Sequence, residues 1–281
     1  MNLFDKTIQT VLQNNKQYIS LRPVIEKEIL HYDILRELNN IGLLKNLTFI
    51  GGTCLRSCYG SPRLSEDLDF SSNFNFKKAE IAALPEMLKK NLLKKYGFKA
   101  EVSEPEKESG NTNTWKIKIL TRPEQKHLPA QRINLDIVLL PSYKKQVMML
   151  KNFYGLADNI NGLILQAETL EEILVDKIIA LANRPNRVKN RDLWDIFWLS
   201  RQNVNLDKQL LAQKLKDRNI SKKEFTAKYS NRLEEIKTGQ EVFLFEMQRF
   251  LPSAVFDETF TSELWWQQLG NLLKNYILSI Y

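Results

Sequence analysis

Cysteine and histidine are scarce in this chain, with two of each among 281 residues. Cys54 and Cys58 lie four apart in what reads as one helical segment, a spacing that suits a disulfide poorly, so both are expected to be small core residues. His31 and His127 are the only imidazoles, so there is no Cys/His cluster and no structural zinc site is expected. Any bound metal should be held by oxygen. Long apolar runs are missing too: nothing approaches the ~18 residues a membrane span needs. The N-terminal stretch carries Asp5, Lys6 and the polar run Gln13–Lys16 where a signal peptide would need its apolar region. A cytoplasmic protein without membrane association is the expectation. Internal repeats and low-complexity tracts are also absent.

What is present is the material of a large core. The chain is 43% hydrophobic and 26% charged, enough for one large domain or two modest ones. Lys and Arg outnumber Asp and Glu by 41 to 33, a formal charge of +8. The excess collects at Lys89, Lys90, Lys94 and Lys95, at Arg184, Arg187, Lys189 and Arg191, and from Lys208 to Lys237. Such runs serve either as solvated helix faces or as a surface for nucleic-acid or nucleotide phosphate.

Apolar residues at helical spacing over 22–40 predict a helix, followed by a buried strand at 47–50, "LTFI". Gly51 and Gly52 end that strand, and Thr53 is placed to open a helix running to Gly60. Pro62 keeps the next segment irregular before the strand "DLDF". A helix over 77–96, interrupted at Pro85 and closed by Gly97, precedes strands at 98–102, 114–121, 133–140 and 163–168. The stretches 103–113 and 123–130 read as loops. From Thr169 onward only helical patterns occur. The fold class expected is therefore α/β (α+β), a mixed-sheet lobe over residues 1–168 followed by a helical lobe over 169–281.

One short segment concentrates the chemistry: "FIGGTCLRSCYGSPRLSEDLDF", residues 49–70. On an extended strand Asp67 and Asp69 share a face, while Leu68 and Phe70 point to the other. Two carboxylates so close repel unless a cation sits between them, and a hard divalent ion such as Mg²⁺ is the ordinary solution. The turn Gly51–Gly52–Thr53 supplies the complement, because glycines let phosphate approach the backbone and a helix start offers unpaired N–H donors. A third carboxylate, Asp136, lies in "INLDIVLL" on the face opposite Ile133, Leu135, Ile137 and Leu139. It is either a charge on a solvated edge or a member of the same site, and Val138 and Leu140 on its own face favour the site, because a buried aspartate needs a partner. There it would complete the metal site or act as the base.

The order of these parts, GGT-x-L-R and then R-x-S-x-D-x-D-F, resembles the signature of the AbiEii toxin family, a branch of the nucleotidyltransferase superfamily. The resemblance continues in "LEEILVDKIIALANRPNRVKNRDLWDI", residues 170–196, which is similar to that family's second block, a lysine on a helix followed by R-D-x-x-D. It covers roughly residues 24–200. It implies a nucleotidyltransferase core, an NTP substrate, Mg²⁺ or Mn²⁺ on Asp67, Asp69 and Asp136, and nucleotide contacts from Gly51, Gly52, Thr53, Arg56, Arg63, Ser65 and Lys177. It further implies a toxin of a type IV toxin–antitoxin system, some of which add nucleotides to the 3′ end of tRNA. The antitoxin would be a separate protein.

The second block also has a physical reading of its own. Lys177 projects into the apolar arc of Leu170, Ile173, Leu174 and Leu181, with Glu172 and Asp176 on the polar side. Either its stem packs and its ammonium reaches water, or it meets a phosphate or carboxylate. Asp195 sits among Trp194, Ile196, Phe197, Trp198 and Leu199 and needs a cation, for which Lys177 is the candidate; Asp192 with Arg191 reads as a helix-start cap. Three activities share this site on paper: nucleotide transfer to RNA, transfer to a small molecule of the aminoglycoside type, and RNA binding by a module that has lost turnover. All the candidate carboxylates and Lys177 are present, which argues against the last.

Overall fold

The structure is a computed structural model, described over residues 2–73, 75–105, 111–125, 128–156, 162–262 and 264–280. The chain divides into two compact units, Met1–Glu168 and Thr169–Tyr281. No helix among the described residues is long and apolar enough to cross a membrane.

The first unit opens with helices α1 (Leu3–Asn14) and α2 (Arg22–Asn40), the latter with Pro23 in its first turn, where a missing N–H costs nothing. Strand β1 (Thr48–Ile50) leads directly into α3 (Gly51–Cys54), continued by a π-helical turn, Leu55–Tyr59, that Gly60 ends in a left-handed conformation. After an irregular segment come β2 (Leu68–Ser71), α4 (Leu84–Tyr96), β3 (Lys99–Ser103), β4 (Thr112–Leu120), β5 (Gln131–Val138), β6 (Lys145–Met149) and β7 (Ile164–Glu168). The seven strands form one mixed sheet in the order β3-β4-β5-β2-β1-β7-β6. The pairs β2–β5 and β1–β7 are parallel and the remaining neighbours antiparallel.

Alternation divides the sheet into two unlike faces. Phe49, Leu68, Phe70, Leu135, Ile137, Trp115 and Ala167 share one face and are all buried, and the Phe49 and Phe70 rings stand 5.1 Å apart. Each buried Leu, Ile or Phe among them contributes roughly 1.5–3 kcal/mol on leaving water, so the register of β1, β2 and β5 is strongly specified. A slip by one residue would send Asp69 and Asp136 into that core.

Several details depart from the sequence reading. The helix after β1 begins at Gly51, so Thr53 lies inside it, and its hydroxyl bonds to the following loop instead of capping. Pro85 stands in the first turn of α4 and starts that helix instead of interrupting one. α1 and β6 were not anticipated. β6 is an edge strand with Val147 and Met149 both 62% exposed, so no buried face imprints a period-2 pattern on it. Residues 106–110 and 126–127 of the two expected loops, His127 among them, lie outside the described residues.

The second unit is helical throughout its described residues: α5 (Leu170–Asn183), α6 (Asn190–Arg201), α7 (Lys208–Asp217), α8 (Lys222–Ile236), α9 (Gln240–Met247), α10 (Ser253–Phe260) and α11 (Trp265–Ile280). An aromatic cluster forms its core, with Phe243 and Phe260 at 4.8 and 4.6 Å from Trp265, and Trp194 5.9 Å from Phe260. Offset and edge-on rings of this kind add to their buried area.

Candidate active site

The register of the sheet places the first part of the site. Asp69 on β2 pairs with Asp136 on the parallel neighbour β5, so both side chains leave the same face from strands ~4.8 Å apart. Asp67 precedes β2 by one residue, and its Oδ1 accepts a hydrogen bond from the Asn134 backbone N–H at 3.3 Å. All three carboxylates are partly exposed on the face opposite the apolar core. Among the described residues no group of three His, Cys, Asp or Glu side chains is arranged to hold a metal ion by itself. The donors that do share this face are all carboxylate oxygens, a set that fits a hard divalent cation completed by ligands from a nucleotide.

The glycine pair shapes the wall beside them. Gly51 has φ +74, a left-handed conformation, and a Cβ there would stand 2.7 Å from Asp69 Oδ2. Any other residue would be strained and would press on that carboxylate. A Cβ on Gly52 would fall 2.2 Å from Arg63 Nη2 and 3.4 Å from Ser65 Oγ. The glycines thus admit the protein's own Asp69 and Arg63 to the backbone at the start of α3.

Behind this wall lies a buried polar layer. The Thr53 hydroxyl donates to the Asp67 carbonyl and stands 2.7 Å from Ser65 Oγ. The Ser65 N–H donates to Glu28 Oε1 at 3.0 Å. Glu28 Oε2 takes the Tyr154 hydroxyl at 2.5 Å and the Arg56 Nε at 3.3 Å. Arg56 also donates to the Ser61 carbonyl and stacks over Phe153, 3.7 Å from the ring centre. Burial works against the Arg56 charge, but Glu28 and the tyrosines around it hold the guanidinium protonated. Burial, and then the Glu28 charge, push the Tyr154 hydroxyl well up. Arg56 and Thr53, both expected at the nucleotide, are therefore engaged by the protein itself: Arg56 is 2% exposed and Thr53 fully buried. Arg63 and Ser65 are buried as well, with Arg63 Nη1 donating to the Leu64 carbonyl.

The second part of the predicted site lies in the helical unit. Lys177 on α5 does not simply extend to water: its Nζ stands 2.6 Å from Asp192 Oδ1 and 2.7 Å from Asp195 Oδ2, both on α6. Asp195 is fully buried, and the pair inferred from its apolar helix is present. Asp192 is not merely a helix-start cap. Buried itself, it also accepts from Arg184 Nη2 at 2.9 Å. Burial alone would raise its pKa, but Lys177, Arg184 and Lys189 outweigh burial and hold it at about 2. Lys189 is pushed below the usual lysine range by burial and by Arg191 beside it. Glu172, placed by periodicity on the polar side, is fully buried against Lys214, 2.6 Å away, and Lys214 also holds Asp176 at 2.6 Å. A partner on a helix distant in sequence leaves no trace in the local pattern.

The family described as "Nucleotidyl transferase AbiEii toxin, Type IV TA system" matches residues 33–271. Among curated proteins none matches the chain in sequence. The fold is similar to that of MenT4, a nucleotidyltransferase toxin from Mycobacterium tuberculosis, with a TM-score of 0.57 and 12% identity over 97% of this chain and 98% of that one. It is also similar to JHP933 from Helicobacter pylori, with a TM-score of 0.51 and 16% identity over 92% and 93% of the two chains.

Proposed function

The chain belongs to the AbiEii nucleotidyltransferase toxin family of type IV toxin–antitoxin systems, and from that premise we propose that it transfers a nucleotide from an NTP to the 3′ end of tRNA, blocking translation until a separate antitoxin neutralises it. The observation that carries this reading is the in-register pair Asp69–Asp136, with Asp67 beside it, facing the Gly51–Gly52 turn. Asp67, Asp69 and Asp136 would hold Mg²⁺ or Mn²⁺, which when bound neutralises triphosphate charge and makes the α-phosphorus more electrophilic. The backbone of the glycine turn, with Ser65 and Arg63 beside it, faces the phosphates, while Thr53 and Arg56 fix that wall from behind. The acceptor hydroxyl forms the new O–P bond, the bond from the α-phosphorus to the bridging oxygen breaks, and pyrophosphate leaves. The proton of the hydroxyl passes to Asp136 or to water. Lys177, set by Asp192 and Asp195, would serve the same reaction as a fixed positive charge. Positioning and charge neutralisation carry the rate.

The RNA acceptor is supported by the basic runs of the helical unit, which suit a phosphate backbone read by shape. The test is incubation of the protein with Mg²⁺, each labelled NTP in turn, and total tRNA. Label on the tRNA 3′ end from one or more NTPs is expected. Label appearing only on small hydroxylated molecules would replace this reading with that of a small-molecule transferase.

A further inference from the structure

The segment between the π-helical turn and β2 has no regular secondary structure, yet it carries Asp67 and leads directly into the strand of Asp69. Its backbone polar groups therefore need partners from elsewhere. At Ser65, Glu66 and Asp67 those partners are side chains, and two of the three come from α2. The Ser65 N–H donates to Glu28 Oε1 at 3.0 Å. The Glu66 carbonyl accepts from His31 Nε2 at 3.0 Å. The Asp67 carbonyl takes the Thr53 hydroxyl. Lys27 adds an ion pair to the Glu66 side chain at 2.6 Å.

Positions 27, 28 and 31 are neighbours on one helical face, so three consecutive contacts to one loop come from a single turn and a half of α2. Glu28 and His31 are 3% and 2% exposed, an expensive location for an acid and an imidazole whose only purpose is packing. The Glu28 carboxylate is filled by Ser65, Tyr154 and Arg56, and Arg56 belongs to the same helical run that starts at the glycine turn. One carboxylate thus ties both walls of the site to a common point. These α2 residues lie before residue 33, where the family match begins.

We propose that Glu28 and His31 are positioning residues of the transferase site: they fix the backbone at Ser65 and Glu66, and so the aim of the Asp67 and Asp69 carboxylates toward the metal–nucleotide complex. Lys27, partly exposed and paired with the Glu66 side chain rather than the loop backbone, contributes little. The inference rests on the reading of Asp67, Asp69 and Asp136 as the metal-binding face.

The test is Mn²⁺ binding followed by electron paramagnetic resonance, with the metal alone and with a mixture of non-hydrolysable analogues of the four NTPs. The full-length protein is compared with His31→Leu, His31→Gln, Glu28→Ala and Glu28→Gln, and thermal unfolding is recorded for each. His31→Leu keeps the bulk and deletes the donor, and His31→Gln restores an N–H close to the place of Nε2. Loss of a group that orients metal ligands costs ~10- to 100-fold in metal affinity. His31→Leu and Glu28→Ala are expected to raise the Mn²⁺ half-saturation concentration by about that factor, with His31→Gln recovering most of it. In the tRNA reaction KM for NTP should rise and KM for tRNA should not. Should Glu28→Ala fail to fold, the two His31 variants decide. Folded His31→Leu with wild-type Mn²⁺ affinity overturns the inference, as does a lowered melting temperature with unchanged affinity, which marks packing alone. Wild-type protein that binds no Mn²⁺ even with nucleotide overturns the metal-face reading and this inference with it.

Discussion

Asp69 shows how a single side chain can work against the fold it sits in. It shares a face with Asp136 on an adjacent strand and with Asp67 beside it, three like charges held close together. Repulsion of this kind raises the free energy of the folded state. Asp69→Ala is therefore expected to abolish nucleotide transfer while leaving the melting temperature level or higher, measured by calorimetry beside a transfer assay. Inactivity that comes only with unfolding would remove the case for a metal site here. Gly51 makes the complementary point: with φ at +74 and Asp69 Oδ2 2.7 Å from where a Cβ would sit, the glycine exists for the aspartate's sake.

At the scale of elements, the junction of α5 and α6 stores its stability in charge. Lys177 lies between Asp192 and Asp195, and removing it takes away a cation 2.7 Å from the fully buried Asp195. Breaking a buried pair from one side costs roughly 3–5 kcal/mol, whereas replacing both partners with apolar groups is often nearly neutral. Lys177→Met should lose stability on that scale, and Lys177→Met/Asp195→Leu should regain most of it in urea titrations. Transfer should stay down by ~10²-fold or more in both, as for the loss of a preorganised charge. Normal rates in the double variant would show that Lys177 is structural only. A pH dependence belongs to the same junction. The Asp192 pKa of about 2 lies below the ~3.9 of an unfolded aspartate, so its contribution is complete above about pH 4 and lost as the pH falls through 2. It amounts to roughly 2–3 kcal/mol. The stability gap between wild type and Asp192→Asn, measured by urea unfolding at a series of pH values, should narrow over that window. A gap that stays constant down to pH 2 would contradict the ion-pair account.

For the whole molecule, the charge of +8 is the relevant quantity. Much of it lies on α7 and α8, where Lys208, Lys216, Lys222 and Lys223 are exposed. If this surface meets RNA phosphate, counterion release makes binding weaken steeply as salt rises, while NTP affinity at the carboxylate face falls much less. Reversal of charge by Lys222→Glu/Lys223→Glu should lower RNA affinity and flatten its salt dependence, leaving NTP affinity unchanged, as read by filter binding at several salt concentrations. Equal RNA binding by the variant would move the acceptor surface elsewhere.

The sequence alone determined whatever depends on local period and order: the helix over 22–40, the strands that carry Asp69 and Asp136, the glycine pair where β1 ends and a helix follows, and the mixed sheet followed by helices. Buried faces and turn residues write these directly into neighbouring positions. The family's two blocks were legible for the same reason, since each is a run of closely spaced residues. Only the tertiary structure decided which polar residues face inward. Arg56 and Thr53 read as nucleotide ligands, but Glu28 and the Asp67 carbonyl claim them. Glu172 reads as a solvated charge, but Lys214 meets it from α7. Asp192 reads as a cap, but Lys177 and Arg184 enclose it. A hydrogen bond or ion pair between residues far apart in the chain imposes no period on either segment. Its partners come together only when the elements pack, and at that point burial makes each of them indispensable to the other.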